Sequence, residues 1–281
     1  MTVPVGAGGA VSTYNGAGQV DVVFDVQGWY GPNDPAMHDG LFNAIAPARL
    51  LDTRSNGGPL GPGQTRNLIV VGRGVVPTSG VAAVALNVTV TNPTASSYLS
   101  VFPAGAPRPS TSTLNFVAGQ QLPNRVIVPV GAGGQVSFYN ALGQVQVVVD
   151  VSGWFTDSAS TAGGSRFTTI TPQRILDTRA GFGTFEDSGI ATVQMADTLS
   201  LGVTAVMANF TIANATAPSY LTVWPGGTAQ PTASDLNYAG GQTVANLVIA
   251  RLNGGGFNLY NAWGEPNLVI DLVGYYGPVG A

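Results

Sequence analysis

The 281-residue chain is long enough for two or three domains of ordinary size. Charged residues make up only 9% of it and the net charge is −4, which excludes a strongly basic surface for nucleic acid or anionic membranes. It has no cysteine, so disulfides and thiolate metal sites are excluded, and no apolar run is long enough for a transmembrane helix. All ten basic residues are Arg.

The first element in chain order is a copy of a later one. Residues 3–29 and 128–154 are identical at 20 of 27 positions, at a constant offset of 125 and without a gap. A looser third copy runs from Ile249 to Tyr275. A repeat of this length is one supersecondary unit. Because the first copy lacks the front half of that unit, we expect a partial repeat at residues 1–31.

The front half of the unit occurs twice. It opens with Arg49-Leu50-Leu51-Asp52-Thr53-Arg54, which recurs as residues 174–179 at offset 125. Further matches follow in the same order, around Asn87 and Asn209, Tyr98 and Tyr220, and Asn115 and Asn237. This order predicts full repeats at 41–156 and 166–278, separated by linkers rich in Gly, Pro, Ser and Asp.

Hydrophobic residues recur with a period of two, which is typical of strands. Residues 144–151 are nearly all apolar, as in a strand buried on both faces. Pro is too frequent for long helices. The back half is expected to be a meander, with turns at Gly133-Gly134 and at 140–143. We therefore predict an all-β fold of tandem, Greek-key-like β-sandwich repeats of about 115–125 residues, preceded by the partial one.

The Arg-x-Leu/Ile-Leu-Asp-Thr-Arg motif is the most specific polar signal. One interpretation is a binding site, because Arg can fork onto a carboxylate or phosphate. The favoured interpretation is a structural ion network, since an Asp in the apolar last strand of a repeat needs a cation. Replacing an Arg of the motif with Ala is then expected to unfold its own repeat. The predicted network consists of Arg49, Asp52, Arg54 and Asp150 in the first full repeat, and of Arg174, Asp177, Arg179 and Asp271 in the second.

Aromatic residues divide into two groups. Trp29, Trp154 and Tyr275 follow the final Gly of each copy, so packing at the end of a sandwich is favoured over stacking on a sugar. Trp224 and Trp263 have Phe102 and Leu142 as counterparts, which makes these two the candidate contacts with a partner. A crowded turn is the simpler explanation for Trp263.

No catalytic or metal-binding set is apparent. The single His38 lies in a linker between Asp34 and Asp39, and one His without cysteines does not make a zinc site. A calcium site there would lack any EF-hand-like spacing. A Ser/His/Asp triad is not indicated, and the repeated Asp residues are interpreted as architectural. We therefore expect neither an enzyme nor a cofactor.

The two motifs together resemble tandem repeats in secreted and cell-surface proteins of high-GC bacteria. The resemblance rests on Arg-hydrophobic-Leu-Asp-Thr-Arg, followed about 100 residues later by Asp-Val-x-Gly-Trp-Phe/Tyr. It covers Ile45–Phe155 and Ile170–Tyr276, and departs from the pattern at Tyr275 and at Leu247, which replaces Arg125. It implies a secreted or cell-surface location, although no signal peptide is visible, and carries no defined activity.

The expected function is a structural or adhesive extracellular module. The partial repeat is expected to expose a strand edge and an apolar face. It would belong to a longer array, pack on the neighbouring repeat, or be completed by another copy in a filament. The expected partner is therefore the protein itself, without nucleic acid or membrane insertion. The alternative is a carbohydrate-binding module for cell wall or polysaccharide.

Overall fold

The computed structural model describes residues 2–31, 37–181, 183–195, 198–200 and 202–278. Within these ranges it contains sixteen β-strands and two short 3-10 turns. The all-β prediction of tandem β-sandwiches is confirmed, because four antiparallel four-stranded sheets are arranged in two pairs. One pair of sheets lies within the predicted full repeat 41–156, and the other lies within the predicted full repeat 166–278.

The first repeat has eight strands in two sheets. Their order is β1-β8-β3-β6 in one sheet and β2-β7-β4-β5 in the other. Strands β2 and β4 both pair with β7, whose Val, Phe and Tyr residues favour the strand conformation. The strands are β1 (Phe42–Asp52), β2 (Thr65–Ile69), β3 (Val81–Thr91), β4 (Ser97–Pro103), β5 (Leu114–Phe116), β6 (Leu122–Pro129), β7 (Gln135–Asn140) and β8 (Gln146–Thr156).

The second repeat has the same topology. Its sheets have the orders β9-β16-β11-β14 and β10-β15-β12-β13, so each strand takes the place of its counterpart eight strands earlier. The strands are β9 (Arg166–Asp177), β10 (Ile190–Gln194), β11 (Ala205–Ala213), β12 (Ser219–Pro225), β13 (Leu236–Tyr238), β14 (Val244–Arg251), β15 (Gly256–Asn261) and β16 (Asn267–Gly277).

The meander expected for the back half is wrong. Strand β7 pairs with β2 and β4, whereas β8 pairs with β1 and β3 in the opposite sheet. The chain therefore crosses the sandwich between them instead of forming a hairpin. In both full repeats the back half supplies one central strand to each sheet, and the strands that pair with it come from the front half.

Each sandwich has its own apolar core. Alternate residues of the central strands point inward, as Val147, Val149 and Val151 of β8 do, and are fully buried. The equivalent core of the second repeat is built around Phe210, Phe257 and Ile270. Strand β8 is also covered on its outer face, which explains its continuous apolar sequence.

Residues 2–31 form no strand, which corrects the expectation of a preformed β-half. The turn Ala7–Gly9 is present and has the backbone of its copy, with φ of 71° at Gly8 and 67° at Gly133. A glycine-rich turn forms from local preferences. The strands do not form from local preferences. The copies of the residues that follow the turn are β7 and β8, which lie in opposite sheets and pair with front-half strands, and residues 2–31 have no such partners.

An apolar cluster joins the two repeats. It draws equivalent positions from both, because the partners Phe42 and Phe155 of β1 and β8 correspond to Phe167 and Tyr276 of β9 and β16. Such use of one patch by both partners is typical of a closed, isologous contact. The remaining members are Ala83, Ala85 and Ile127 with their counterparts Ala205, Met207 and Ile249, together with Ala44, Leu247 and Val273.

Candidate interaction sites

A row of polar residues crosses the outer face of the first repeat. The strand registers place Arg49 opposite Asp150, Asp150 opposite Asn87, and Asn87 opposite Arg125. The corresponding row in the second repeat is Arg174, Asp271, Asn209 and Leu247. Four strands thus bring to one line residues that are far apart in sequence.

The predicted ion network of the first repeat is assembled as two linked pairs. Arg49 donates to Asp150, with Nη2 3.3 Å from Oδ2, and to Asp52, with Nη1 3.1 Å from Oδ2. Arg54 grips Asp52 through Nε and Nη2, at 2.8 and 2.6 Å. The motif by itself allows either Arg49 or Arg54 to pair with Asp150, and the structure shows that Arg49 neutralises this Asp of the last strand.

The second repeat contains the same network in a different environment. Arg174 donates to Asp271 at 2.8 Å, and Arg179 holds Asp177 through two bonds of 2.8 and 2.7 Å. The side chain of Arg174 is 51% exposed, against 23% for Arg49. The difference arises because only the first network lies under the other repeat.

The segment of the second repeat that covers the first network is the 232–235 loop, which leads into β13. The carbonyl of Thr232 accepts a bond from Arg49 Nη2 at 3.0 Å, and the carbonyl of Ser234 accepts one from Asn87 Nδ2 at 2.7 Å. Asn87 also accepts from Asn246 Nδ2 at 2.8 Å. Front-half polar groups of one repeat therefore bind backbone and edge groups of the next.

The centre of this interface is an ion pair between the repeats. Arg125 Nη2 lies 2.9 Å from Asp235 Oδ1, and both side chains are buried. Arg125 also donates to Ser152 Oγ at 2.6 Å and to the Leu247 carbonyl at 3.2 Å. A buried ion pair is tolerable only when its remaining donors and acceptors are satisfied in this way.

Asp235 combines a role present in both repeats with one that is new. Its Oδ2 accepts the backbone N–H of Val223 at 2.9 Å. In the first repeat Thr113 Oγ1 accepts the equivalent N–H of Val101 at 3.0 Å. Asp235 thus keeps the bond that Thr113 makes and adds a carboxylate oxygen for Arg125.

Burial dominates the electrostatics at the interface. Desolvation raises the pKa of Asp235 to about 6, although Arg125 opposes this shift. Desolvation also raises the pKa of Asp150 and lowers that of Arg125. At the exposed edge the balance reverses, because the hydrogen bonds from Arg179 lower the pKa of Asp177 to about 2. Burial therefore disfavours the charged forms of Arg125 and Asp235, whereas the exposed Arg179–Asp177 pair keeps its charges without that cost.

The Arg125–Asp235 pair is not predicted by the repeat motifs. The replacement of Arg125 by Leu247 in the second repeat is visible in the sequence, but its connection with Asp235 is not. The available signal was a coordinated difference between the repeats, in which Arg125 and Asp235 are charged while their counterparts Leu247 and Thr113 are not. A contact between the two copies is one arrangement that produces opposite charges at nonequivalent positions.

Tyr30 connects residues 2–31 to the interface between the repeats. Its hydroxyl lies 2.6 Å from that of Tyr276, and its ring lies 4.4 Å from the ring of Phe167. Although 40% of the residue is exposed, desolvation of its hydroxyl raises the pKa of Tyr30 to about 12. The same cause raises the pKa of Tyr276 well above its ordinary value.

Of the two residues predicted to contact a partner, Trp224 was predicted wrongly. Its ring is buried and its Nε1 donates to the carbonyl of Thr228 at 2.9 Å, so it is not available to a partner. Trp263 is 57% exposed and makes an edge-to-face contact with Tyr220. Trp154 packs in the first core and Tyr275 against the second, whereas Trp29 is exposed.

Tyr220, Tyr260 and Trp263 form an aromatic surface on the second repeat. The ring centroids of Tyr220 lie 6.1 Å from Tyr260 and 5.9 Å from Trp263. In the first repeat the equivalent surface differs, because Leu142 replaces the Trp and the Arg108 guanidinium lies 4.2 Å above the Tyr139 ring. The second repeat therefore presents the more open aromatic face.

The linker around His38 has an architectural contact. The His38 carbonyl accepts a bond from Thr156 Oγ1 at 2.8 Å, and Asp34 lies outside the described residues. Among the described residues no group of three His, Cys, Asp or Glu side chains is placed to hold a metal. None of the described segments is a helix with the length and apolarity needed to cross a membrane.

Two solved structures illustrate the similarity of the chain to known proteins, and both are remote. No family model and no curated protein matches the chain. The solved STIV MCP is 8% identical, with a TM-score of 0.22, over 85% of this chain and 97% of that chain. The N-terminal CBM22-1-CBM22-2 tandem domain of Paenibacillus barcinonensis Xyn10C is 10% identical, with a TM-score of 0.22, over 84% of this chain and 99% of that chain. TM-scores this low do not bear on the function of the chain.

Proposed function

We propose that the chain is a non-catalytic structural and adhesive module of an extracellular surface, in which two β-sandwiches act as one rigid body. The observation that carries the proposal is the interface between the repeats, where the Arg125–Asp235 pair lies beside the shared apolar cluster. Domains in one chain move relative to each other unless a substantial apolar interface holds them. Here apolar packing and a buried ion pair favour one orientation.

The use of polar residues supports a structural role. The repeated Arg and Asp side chains bind each other, and those of the first repeat also bind the 232–235 loop. Side chains that are paired in this way stabilise the repeats and the contact between them, which fits a structural role better than substrate binding. The resemblance of the two motifs to repeats of secreted and cell-surface proteins supports the extracellular location.

Rotational diffusion of the two repeats tests their rigidity. In ¹⁵N relaxation measurements on the full chain, both repeats are expected to tumble with one correlation time. Arg125→Leu is expected to give the two repeats different correlation times, because Asp235 then lies unpaired at the interface. Independent tumbling in the unaltered protein would overturn the rigid-body proposal.

A second candidate function is glycan binding by the aromatic surface of the second repeat. The exposed Trp263 beside Tyr220 and Tyr260 favours it, since an exposed aromatic patch marks a binding surface more often than an isolated residue does. A glycan array probed with the full chain provides the test. Binding should be lost in Trp263→Leu, which introduces the residue of the first repeat, and retained in Leu142→Ala. An array without hits would reject this function.

A further inference from the structure

Residues 2–31 expose side chains whose copies are buried. Val22, Phe24 and Val26 correspond to Val147, Val149 and Val151, which are fully buried in the core of the first repeat. Trp29 is 88% exposed, while its copy Trp154 lies inside that core. Exposed apolar groups of this extent mark an interaction surface, and the copies show what kind of surface covers them.

The fold determines the partner that this segment needs. In both full repeats the back half inserts one strand between β1 and β3 and another between β2 and β4, or between their counterparts in the second repeat. A segment that is 20/27 identical to such a back half is suited to the same two positions. The required surface is therefore a front half with two open gaps, one in each sheet.

The Asp of the segment has the same requirement. Asp25 corresponds to Asp150, which Arg49 neutralises from the neighbouring strand. Burial of Asp25 would need an equivalent cation, because an unpaired carboxylate is costly to bury. The Arg-x-Leu-Leu-Asp-Thr-Arg motif of a front half supplies such an Arg in the right register.

A second copy of the chain does not meet this requirement. Residues 1–281 contain three back halves and two front halves, both already filled by their own β7 and β8 or by β15 and β16. Exchange between copies would expose one back half for each one that it buries. It would also compete with a covalently attached strand pair at high effective concentration.

We infer that residues 2–31 supply the two central strands of a third β-sandwich, whose other six strands belong to a front half outside residues 1–281. That front half has the pattern of residues 41–127. On association, Trp29 and the Val22, Phe24 and Val26 side chains enter its core, and Asp25 meets the first Arg of its motif. The inference does not depend on the rigidity or the glycan binding proposed above.

A glycine provides a selective variant. A Cβ at Gly28 has open space in the present structure, so Gly28→Ala leaves the free chain unaffected. At the equivalent Gly153 a Cβ would collide with the Phe42 ring and approach the Asn43 carbonyl to 2.9 Å. Gly28→Ala should therefore block only the inserted state. The matched control is Gly16→Ala, which introduces the residue that the first full repeat has at Ala141.

The test uses the full chain with Trp263→Leu, in which Trp29 is the exposed indole because Trp154 and Trp224 are buried. It is co-expressed with a polypeptide of residues 41–127. We expect a one-to-one complex in which iodide no longer quenches Trp29. Affinity should fall at least tenfold with Gly28→Ala and persist with Gly16→Ala. Equal binding of both Gly variants, or absence of a complex together with quenching of Trp29 in the fusion described next, would overturn the inference.

Two further experiments distinguish the possible sources of the surface that covers residues 2–31. Because an isolated front half lacks its central strands, one arm joins residues 41–127 directly to Val3, so that Ile127 precedes Val3 as it precedes Val128. Trp29 protected in this fusion but not by the separate polypeptide would support the insertion and place the front half in the same chain as residues 2–31. Trp29 quenched in both would reject the insertion itself. Protection of Trp29 in the chain alone at high concentration would show that a second copy of the chain covers it, contrary to the inference.

Discussion

Arg125 of the first repeat and Asp235 of the second are 2.9 Å apart and buried, although the corresponding residues Leu247 and Thr113 carry no charge. The two repeats share one fold and most of one interface patch. The ion pair makes the interface asymmetric, because Arg125 of the first repeat reaches Asp235 of the second, whereas Leu247 and Thr113 cannot form the reciprocal pair.

Breaking the pair on one side should weaken the interface strongly. Arg125→Leu is expected to cost about 3–5 kcal/mol in the free energy of unfolding, because the carboxylate of Asp235 remains buried without its cation. Urea unfolding gives the value. The double variant Arg125→Leu/Asp235→Thr, which uses the residues of the other repeat, should recover most of the loss. A double variant as unstable as Arg125→Leu would contradict this explanation.

The pH dependence of stability should carry the signature of Asp235. Its pKa in the folded protein, about 6, lies above its ordinary value of 3.8. A raised pKa means that the folded state binds the proton more tightly, so this contribution is complete below pH 3.8 and is lost as the pH rises towards 6. In Asp235→Asn the decline across this window should disappear. Denaturant midpoints measured at half-unit pH intervals provide the comparison, and an unchanged profile would reject the assignment.

The two copies of the Arg–Asp network should respond differently to the same substitution. Arg49→Ala leaves Asp150 buried beneath the 232–235 loop and is expected to cost about 3–5 kcal/mol. Arg174→Ala removes an exposed partner from Asp271, where water replaces it, so its effect should be much smaller. Calorimetry of both variants measures the contrast. Equal losses would mean that burial by the other repeat does not determine the strength of the network.

Alkaline titration should detect the attachment of residues 2–31 to the repeats. The pKa of Tyr30 is raised from 10.0 to about 12, so its contribution to stability is complete below pH 10 and is lost as the pH rises through 12. Ultraviolet absorbance of tyrosinate should show this late step near pH 12, and Tyr30→Phe should remove one tyrosine's share of its amplitude while the late ionisation of Tyr276 remains. Tyr14, which is exposed, offers the matched control Tyr14→Phe, which should leave the late step in place.

Much of the architecture could be predicted from particular residues. Alternation in β3, where Asn87 and Thr89 separate Leu86, Val88 and Val90, indicates a strand with one face in a core. The pairing of the Arg motif with the Asp of the last strand also follows from composition, since an Asp flanked by Val needs a cation. These inferences succeed because they depend on solvation and on periods within one copy.

The sheet assignment of the back half could not be predicted in the same way. The turn between β7 and β8, at residues 141–145, contains Ala, Leu and Gly and is as compatible with a hairpin as with a crossing. Alternation shows which side chains point inward but not which sheet receives them. The choice depends on β1, β3, β2 and β4, which leave one central gap in each sheet.

By itself, the sequence determined the all-β class, the two full copies and the residues of their Arg–Asp networks, because hydrophobic periodicity and the cost of burying a charge act within each copy. Only the tertiary structure decided that β7 and β8 lie in opposite sheets and that Arg125 meets Asp235. It also decided that residues 2–31 remain without strands. The physical reason is common to all three: strand pairing and ion pairing between distant segments require the partner surface to be in place, and a one-dimensional pattern does not specify that surface.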